Sequence, residues 1–231
     1  MRLIFFTLLA SLALVKGDIF GISKNILGNI LNTANKLLEG FKDEKLLDSI
    51  CGKYECPTYT VKFKKPKYEL RCYENAHWVS VKSDHSLSRG ATLFGGGRKM
   101  FKQLFSYIDG ANSLGAKINM TVPVLQQIKD DGTSFKLKMS FYIPRKFQTK
   151  PPSPTNPNVI VESNKFCAYV HSFGGYTILY SQVEKHVEML VKALKEDGLQ
   201  DTYQSGTYIY AGYNKPTTFF RRHNEVMLLR K

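Results

Sequence analysis

The stretch YELRCYENAHW, residues 68–78, sets a cysteine five residues ahead of a histidine. Cys72 could ligate a transition metal as a thiolate, and His77 through an imidazole nitrogen. On a regular strand an odd offset puts the two side chains on opposite faces. They therefore do not act together, and His77 reads as exposed. His85, His186 and His223 read the same way. His171 shares strand parity with Cys167 and Tyr169, so the three share a face. That makes His171 a candidate ligand, although a hydrogen-bonded histidine is the commoner use of the residue. Cys51 and Cys56 in CGKYEC have no second pair at zinc-finger spacing, so no structural metal site is expected, and a short disulfide loop is. Cys72 and Cys167 fall on apolar strands, where they either bridge each other or stay as buried thiols.

Other chemistry finds little support. There is no HExxH, no Ser/His/Asp order and no pair of acids in an obvious site, so no enzyme is expected. Asp109, Asp130 and Asp131 sit in turns. Gly95 to Gly97 precede a helical pattern, but no Lys-Ser/Thr follows and no dinucleotide pattern is present. The three glycines read as a weak first helical turn. One sequon, Asn119-Met120-Thr121, lies in a predicted strand and carries a glycan only if Asn119 points outward.

The compartment follows from the first residues. MRLIFFTLLASLALVKG has Arg2 at its start, a 13-residue apolar run and a small residue at Gly17. It reads as a secretory signal peptide over 1–17, too short to span a bilayer. No later segment is apolar enough to span, so a soluble exported protein is expected, and an even cysteine count suits an oxidising compartment. The formal charge is +14, and removal of Arg2 and Lys16 leaves +12. Such a balance favours anionic partners, from acidic lipid surfaces to a ligand bearing carboxylates. No nucleic-acid motif is present, so nucleic acid is not expected as a partner. Most of the lysines serve solubility.

The elements that would position these groups fall into two regions. Residues 18–57 carry apolar positions Ile19, Ile22, Ile26, Ile30, Ala34, Leu37 and Phe41 at helical spacing, followed by the cysteine pair. From residue 58 to 231 the pattern is of strands and two helices. YTVKFKKPKYELRCY and WVSVK read as strands. RKMFKQLFSYI is a helix with Phe101, Leu104, Phe105 and Ile108 on one face. KINMTVPVLQQI and SFKLKMSFYIP form a hairpin around KDDGT. After the Pro-rich loop TKPPSPTNPN the order repeats: KFCAYVHSF, then a helix with Val183, Val187, Leu190, Val191 and Leu194 inward and Gly198 at its end, then TYIYAGY and NEVMLLRK. Each half reads strand–helix–strand–strand. The fold class is therefore α+β, a duplicated unit whose antiparallel strands form one sheet or distorted barrel flanked by two helices.

YELRCYENAHWVS, SYIDGAN, KINMTVPV, FYIPRKFQTKPPSP, SFGGY and YAGYN…RRHNEVMLL occur in this order. Together they resemble the SOUL or haem-binding-protein family, from about residue 59 to 231. The resemblance implies a duplicated barrel and non-covalent binding of haem or free porphyrin in a shallow apolar cleft, without catalysis. In one branch of the family a histidine of the first strand is the suggested iron ligand, and its position is Cys72 here. Another branch holds haem without an axial ligand, through a helix-lined pocket and cations on the propionates. That places Arg98, Phe101, Leu104 and Phe105 at the site, closed by residues 213–222. A family lysine in that loop corresponds to Thr218, with Arg221 and Arg222 near enough to replace it. Two of Phe101, Leu104 and Phe105 are expected to be ordinary core.

Two functions result. The first is an exported carrier or scavenger that binds haem or another tetrapyrrole reversibly. The second is an interaction protein without haem, whose basic surface or N-terminal apolar helix engages a protein or an acidic membrane.

Overall fold

The computed structural model describes residues 49–83, 86–88, 93–132 and 134–231, together with Asn29 and Thr33. The signal peptide, most of the amphipathic segment and His85 lie outside the described residues. The chain divides into two compact units, Met1–Gly52 and Lys53–Lys231. Every described strand belongs to the second.

Eight strands alternate with three described helices. The strands are β1 (Tyr59–Lys64), β2 (Glu69–Lys82), β3 (Leu87–Ser88), β4 (Val124–Asp130), β5 (Ser134–Tyr142), β6 (Val159–Phe173), β7 (Thr207–Gly212) and β8 (Asn224–Leu229). The helices are α1 (Leu93–Ile108), the single turn α2 (Arg145–Gln148) and α3 (Tyr180–Glu196). The sheet runs β1-β2-β6-β8-β7-β4-β5-β3, and β2 also pairs with β5. That extra pairing closes six antiparallel strands into a barrel and leaves no open edge among them. The duplication shows in the pairings themselves. Exchanging β2 with β6, β4 with β7 and β5 with β8 maps every pair in the ring onto another pair in the ring.

Closure gives each strand an inside and an outside. One alternate set, including Leu70, Val79, Ile128, Leu137, Tyr169 and Leu228, packs with Met100, Leu104 and Tyr107 of α1 and with Val183, Leu190 and Leu194 of α3. Those helices cover the barrel from outside. Side chains of the other set, among them Arg71, Tyr73, Trp78, Ser140, Ala211 and Glu225, are buried without helical neighbours in that cluster and fill the interior. Ser140 and Tyr142, opposite in parity to Phe141 on β5, are buried for this reason. The β4–β5 turn needs Gly132, whose φ of 96° is open to glycine at little cost. Its N–H is held by Asp130 Oδ1 at 2.8 Å.

Several sequence expectations change. β2 is one strand through Cys72 and His77, with a bulge that moves three residues along β2, from Tyr73 to Ala76, against two along β6, from Phe166 to Asn164. The extra residue reverses the parity argument. His77, opposite Ser163, returns to the side of Cys72, opposite Cys167. It is half-buried rather than exposed, and its backbone N–H donates to Gln148 Oε1 at 2.6 Å. His186 and His223 are half-buried as well. KINMTVPV is not a strand before Val124, and Asn119 is exposed in the irregular segment that leads to the cis Val122–Pro123 bond.

Candidate functional site

α1 is amphipathic, and its apolar arc is wider than the barrel beneath it. Successive helical residues turn by about 100°. Met100, Leu104, Tyr107 and Ile108 take the centre of the arc and are buried. Phe101 and Phe105 fall on its flank, 39% and 47% exposed, with their rings stacked 6.2 Å apart. Of the three apolar residues proposed for the site, then, Leu104 alone is core, not two. Leu104 does not line the cleft, nor does Phe105.

The flank overhangs a cavity of about 480 Å³, within the range usual for small-molecule sites. Its floor is the outer face of three strands: Val124 and Gln126 of β4, Met139 of β5, Tyr210 and Gly212 of β7. The floor is tied down by two hydrogen bonds. Tyr180 donates to Gln126 Oε1 at 2.8 Å, and Tyr210 donates to Asn224 Oδ1 at 2.9 Å. Gly97, Arg98 and Phe101 form one wall. Gly97 matters because the helix backbone rests on β5: a Cβ there would lie 2.6 Å from Met139 Cε.

The opposite wall is Thr177, Asn214, Pro216 and Arg222. Arg222 is only 8% exposed and organises this wall. Its Nη1 donates to the carbonyls of Lys215 at 2.8 Å and Thr218 at 2.7 Å. Its guanidinium lies over the Tyr176 ring at 4.6 Å, and Tyr176 donates to the Pro216 carbonyl at 2.7 Å. Nε is buried without a hydrogen-bond partner. Such an orphan costs about 1–3 kcal/mol. Arg221 is exposed with φ 52° and does not line the cavity.

Neither candidate axial ligand serves this cleft. Cys72 is joined to Cys167 on the facing strand, 95 residues later, so no thiolate is available. Cys51 and Cys56 are also disulfide-bonded and no cysteine is free, in keeping with the loop expected at CGKYEC. His171 lies outside the cavity lining. Its Nδ1 contacts the Lys67 carbonyl at 2.8 Å and its Nε2 lies 3.4 Å from His186 Nδ1. Burial, and then His171, lowers the pKa of His186, whose ring stacks on Phe173 at 3.6 Å. The residues lining the cavity include no histidine and no cysteine. Among the described residues, no group of three or more His, Cys, Asp or Glu could hold a metal ion.

What the cleft offers is an apolar floor, an aromatic flank and two guanidinium groups. That set suits a flat apolar molecule with carboxylates at its edge, and a porphyrin with propionates has this chemistry. The presence of Arg98 and Arg222 in an otherwise apolar lining is the observation in favour of the fit. Sequence reasoning missed Gln126, Met139, Tyr210 and Gly212, because a site on the outer face of a closed barrel looks in sequence like ordinary strand.

A six-stranded barrel with one helix per repeat and an open cleft beside the first helix defines a small-ligand binding module. The SOUL heme-binding protein profile matches residues 54–229, and the chain belongs to that family. It is 34% identical over 171 residues to human "Heme-binding protein 2", covering 71% of this chain and 78% of that one. It is 35% identical over 168 residues to mouse "Heme-binding protein 1", covering 71% and 84%. With "Heme-binding protein 1" of Xenopus laevis the match extends to 91% of this chain and 98% of the other, at 27% identity. Among solved structures, a chain of the cryo-EM EcmrR–DNA complex aligns with TM-score 0.50 and 11% identity, over 100% of this chain and 84% of that one. That likeness is one of fold alone.

Proposed function

We propose that this protein binds haem or a related tetrapyrrole reversibly in the cleft between α1 and the 213–223 loop, without catalysis, as an exported carrier or scavenger. The observation that carries the reading is the pairing of an apolar floor with Arg98 at the rim and Arg222 in the wall. Phe101 packs on the face of the macrocycle, and the two arginines neutralise its propionates. When bound, the iron would supply ligand and redox chemistry, while the chain's own residues hold the ring and exclude water from one face. Relatives named for haem support the ligand class. The leader-like first residues, the disulfides and an exposed Asn119 sequon support export.

Titration of the purified chain with haemin at neutral pH tests the reading. A Soret change that saturates and is reversed by dialysis against a haem acceptor is expected. Arg98→Ala removes one charge-assisted contact, worth roughly 1.5–3 kcal/mol, so binding should weaken by roughly ten- to a hundredfold. Absence of any spectral change with excess haemin, or full affinity in Arg98→Ala, would remove the basis for this assignment.

A further inference from the structure

Around the mouth of the cleft the surface is unusually apolar for an exposed loop. Phe219 is 72% exposed and Phe220 86%. Phe219 stacks on Tyr176 at 6.4 Å, and Tyr176 reaches back to Pro216 and Arg222 of the wall. On the neighbouring loop Ile178 and Leu179, next to the lining residue Thr177, are also exposed. Single exposed apolar residues need no explanation, but a cluster that continues an apolar cleft marks an interaction surface.

Charge identifies the partner. The three segments that frame the mouth, 93–108, 174–183 and 213–223, hold Arg98, Lys99, Lys102, Lys215, Arg221 and Arg222 and contain no Asp or Glu at all. The exposed Arg98, Lys102, Lys215 and Arg221, set around projecting aromatic rings, match an anionic bilayer: rings enter the interface while cations meet acidic headgroups. Among the described residues no helix is long and apolar enough to cross a membrane, so the contact would be peripheral.

We propose that the cleft mouth docks on anionic lipid bilayers through Phe219 and Phe220, with Lys215, Arg221 and Lys102 on the headgroups, so that the ligand passes between membrane and cleft without crossing water. The direction of transfer rests on the tetrapyrrole reading; the docking itself does not. Apolar tetrapyrroles partition into lipid, and a cleft open toward the bilayer could take its ligand there.

Co-sedimentation of the ligand-free protein with vesicles tests the docking apart from haem. Vesicles of phosphatidylcholine with phosphatidylserine should bind it, vesicles of phosphatidylcholine alone should bind it much less, and rising salt should release it. The double variant Phe219→Ser/Phe220→Ser should weaken vesicle binding by roughly tenfold or more. Equal binding to neutral vesicles, no binding to anionic ones, or full binding by the double variant would each overturn the proposal. So would self-association of the wild type, without vesicles, that the double variant abolishes, since the loop would then be covered by a second copy. A chain that docks on vesicles but ignores haemin would uphold this surface while defeating the tetrapyrrole reading.

Discussion

Replacing Arg71 by Ala is expected to cost the folded barrel about 3–5 kcal/mol, the usual consequence of stranding a buried charge. Arg71 lies in the interior with its side chain 3% exposed, and Glu225 accepts from its Nη1 at 2.9 Å with no exposure. Glu69 accepts from Nε, and the guanidinium lies over the Tyr59 ring at 4.4 Å. Tyr213 donates to Glu225 Oε2 at 2.8 Å, and His223 Nε2 contacts Oε1 at 2.8 Å. Burial by itself raises the Glu225 pKa, but Arg71, then His223 and Tyr213, outweigh it and hold the pKa below the ordinary carboxylate value of 4.5. A carboxylate whose folded pKa is depressed contributes stability above its unfolded pKa and loses it as pH falls through the folded value. Denaturant midpoints of the wild type should therefore decline below about pH 4.5 on account of this group. In Arg71→Ala the sign reverses. Without its cation the buried Glu225 has a raised pKa, so the variant should recover part of its loss as pH falls from neutral toward 5. The double variant Arg71→Met/Glu225→Leu should be much closer to wild type than either single one. A double variant that loses as much as the two single variants summed would mean that the pair does not act as a unit.

Removing the Cys72–Cys167 bridge should cost about 2–5 kcal/mol, because the bond closes a long loop in the unfolded chain. The two cysteines are 95 residues apart in sequence and directly opposite in the β2–β6 register, with Cα atoms 4.0 Å apart. This bond joins equivalent strands of the two repeats. Reductant should lower the unfolding free energy of the wild type by at least this amount, read as a lower denaturant midpoint. It should change Cys72→Ala/Cys167→Ala only by the smaller contribution of the short loop that contains Cys51 and Cys56. A wild type indifferent to reductant would contradict the account.

The duplicated architecture was legible because both halves repeat the same order of periods: strand, helix, hairpin. α3 matched its expected apolar face nearly residue by residue, since it has one face toward the common core. His77 failed for a physical reason. Parity counts only along a regular strand, and nothing in YENA announces the bulge that β2 makes against β6. Cys72 and Cys167 were each placed on strands, yet their pairing depends on a register that no local pattern carries. The site was half legible. Arg98, Phe101 and Arg222 do meet at one cavity, whereas Leu104, Phe105, Arg221, Cys72 and His171 do not line it. A helical face in sequence has no sharp edge, so the difference between Leu104 in the core and Phe101 on the flank appears only when the width of the underlying barrel is known.

The central claim, a tetrapyrrole held between α1 and the 213–223 loop, is tested most directly by mapping the site. Amide spectra of the isotope-labelled chain would be recorded with and without gallium protoporphyrin, which is diamagnetic and shifts nearby nuclei through its ring current. Shifts are predicted to concentrate on Gly97, Arg98, Phe101, Gln126, Tyr210, Asn214 and Arg222. Shifts centred on His171, Phe173 and His186, or none at saturating porphyrin, would contradict it.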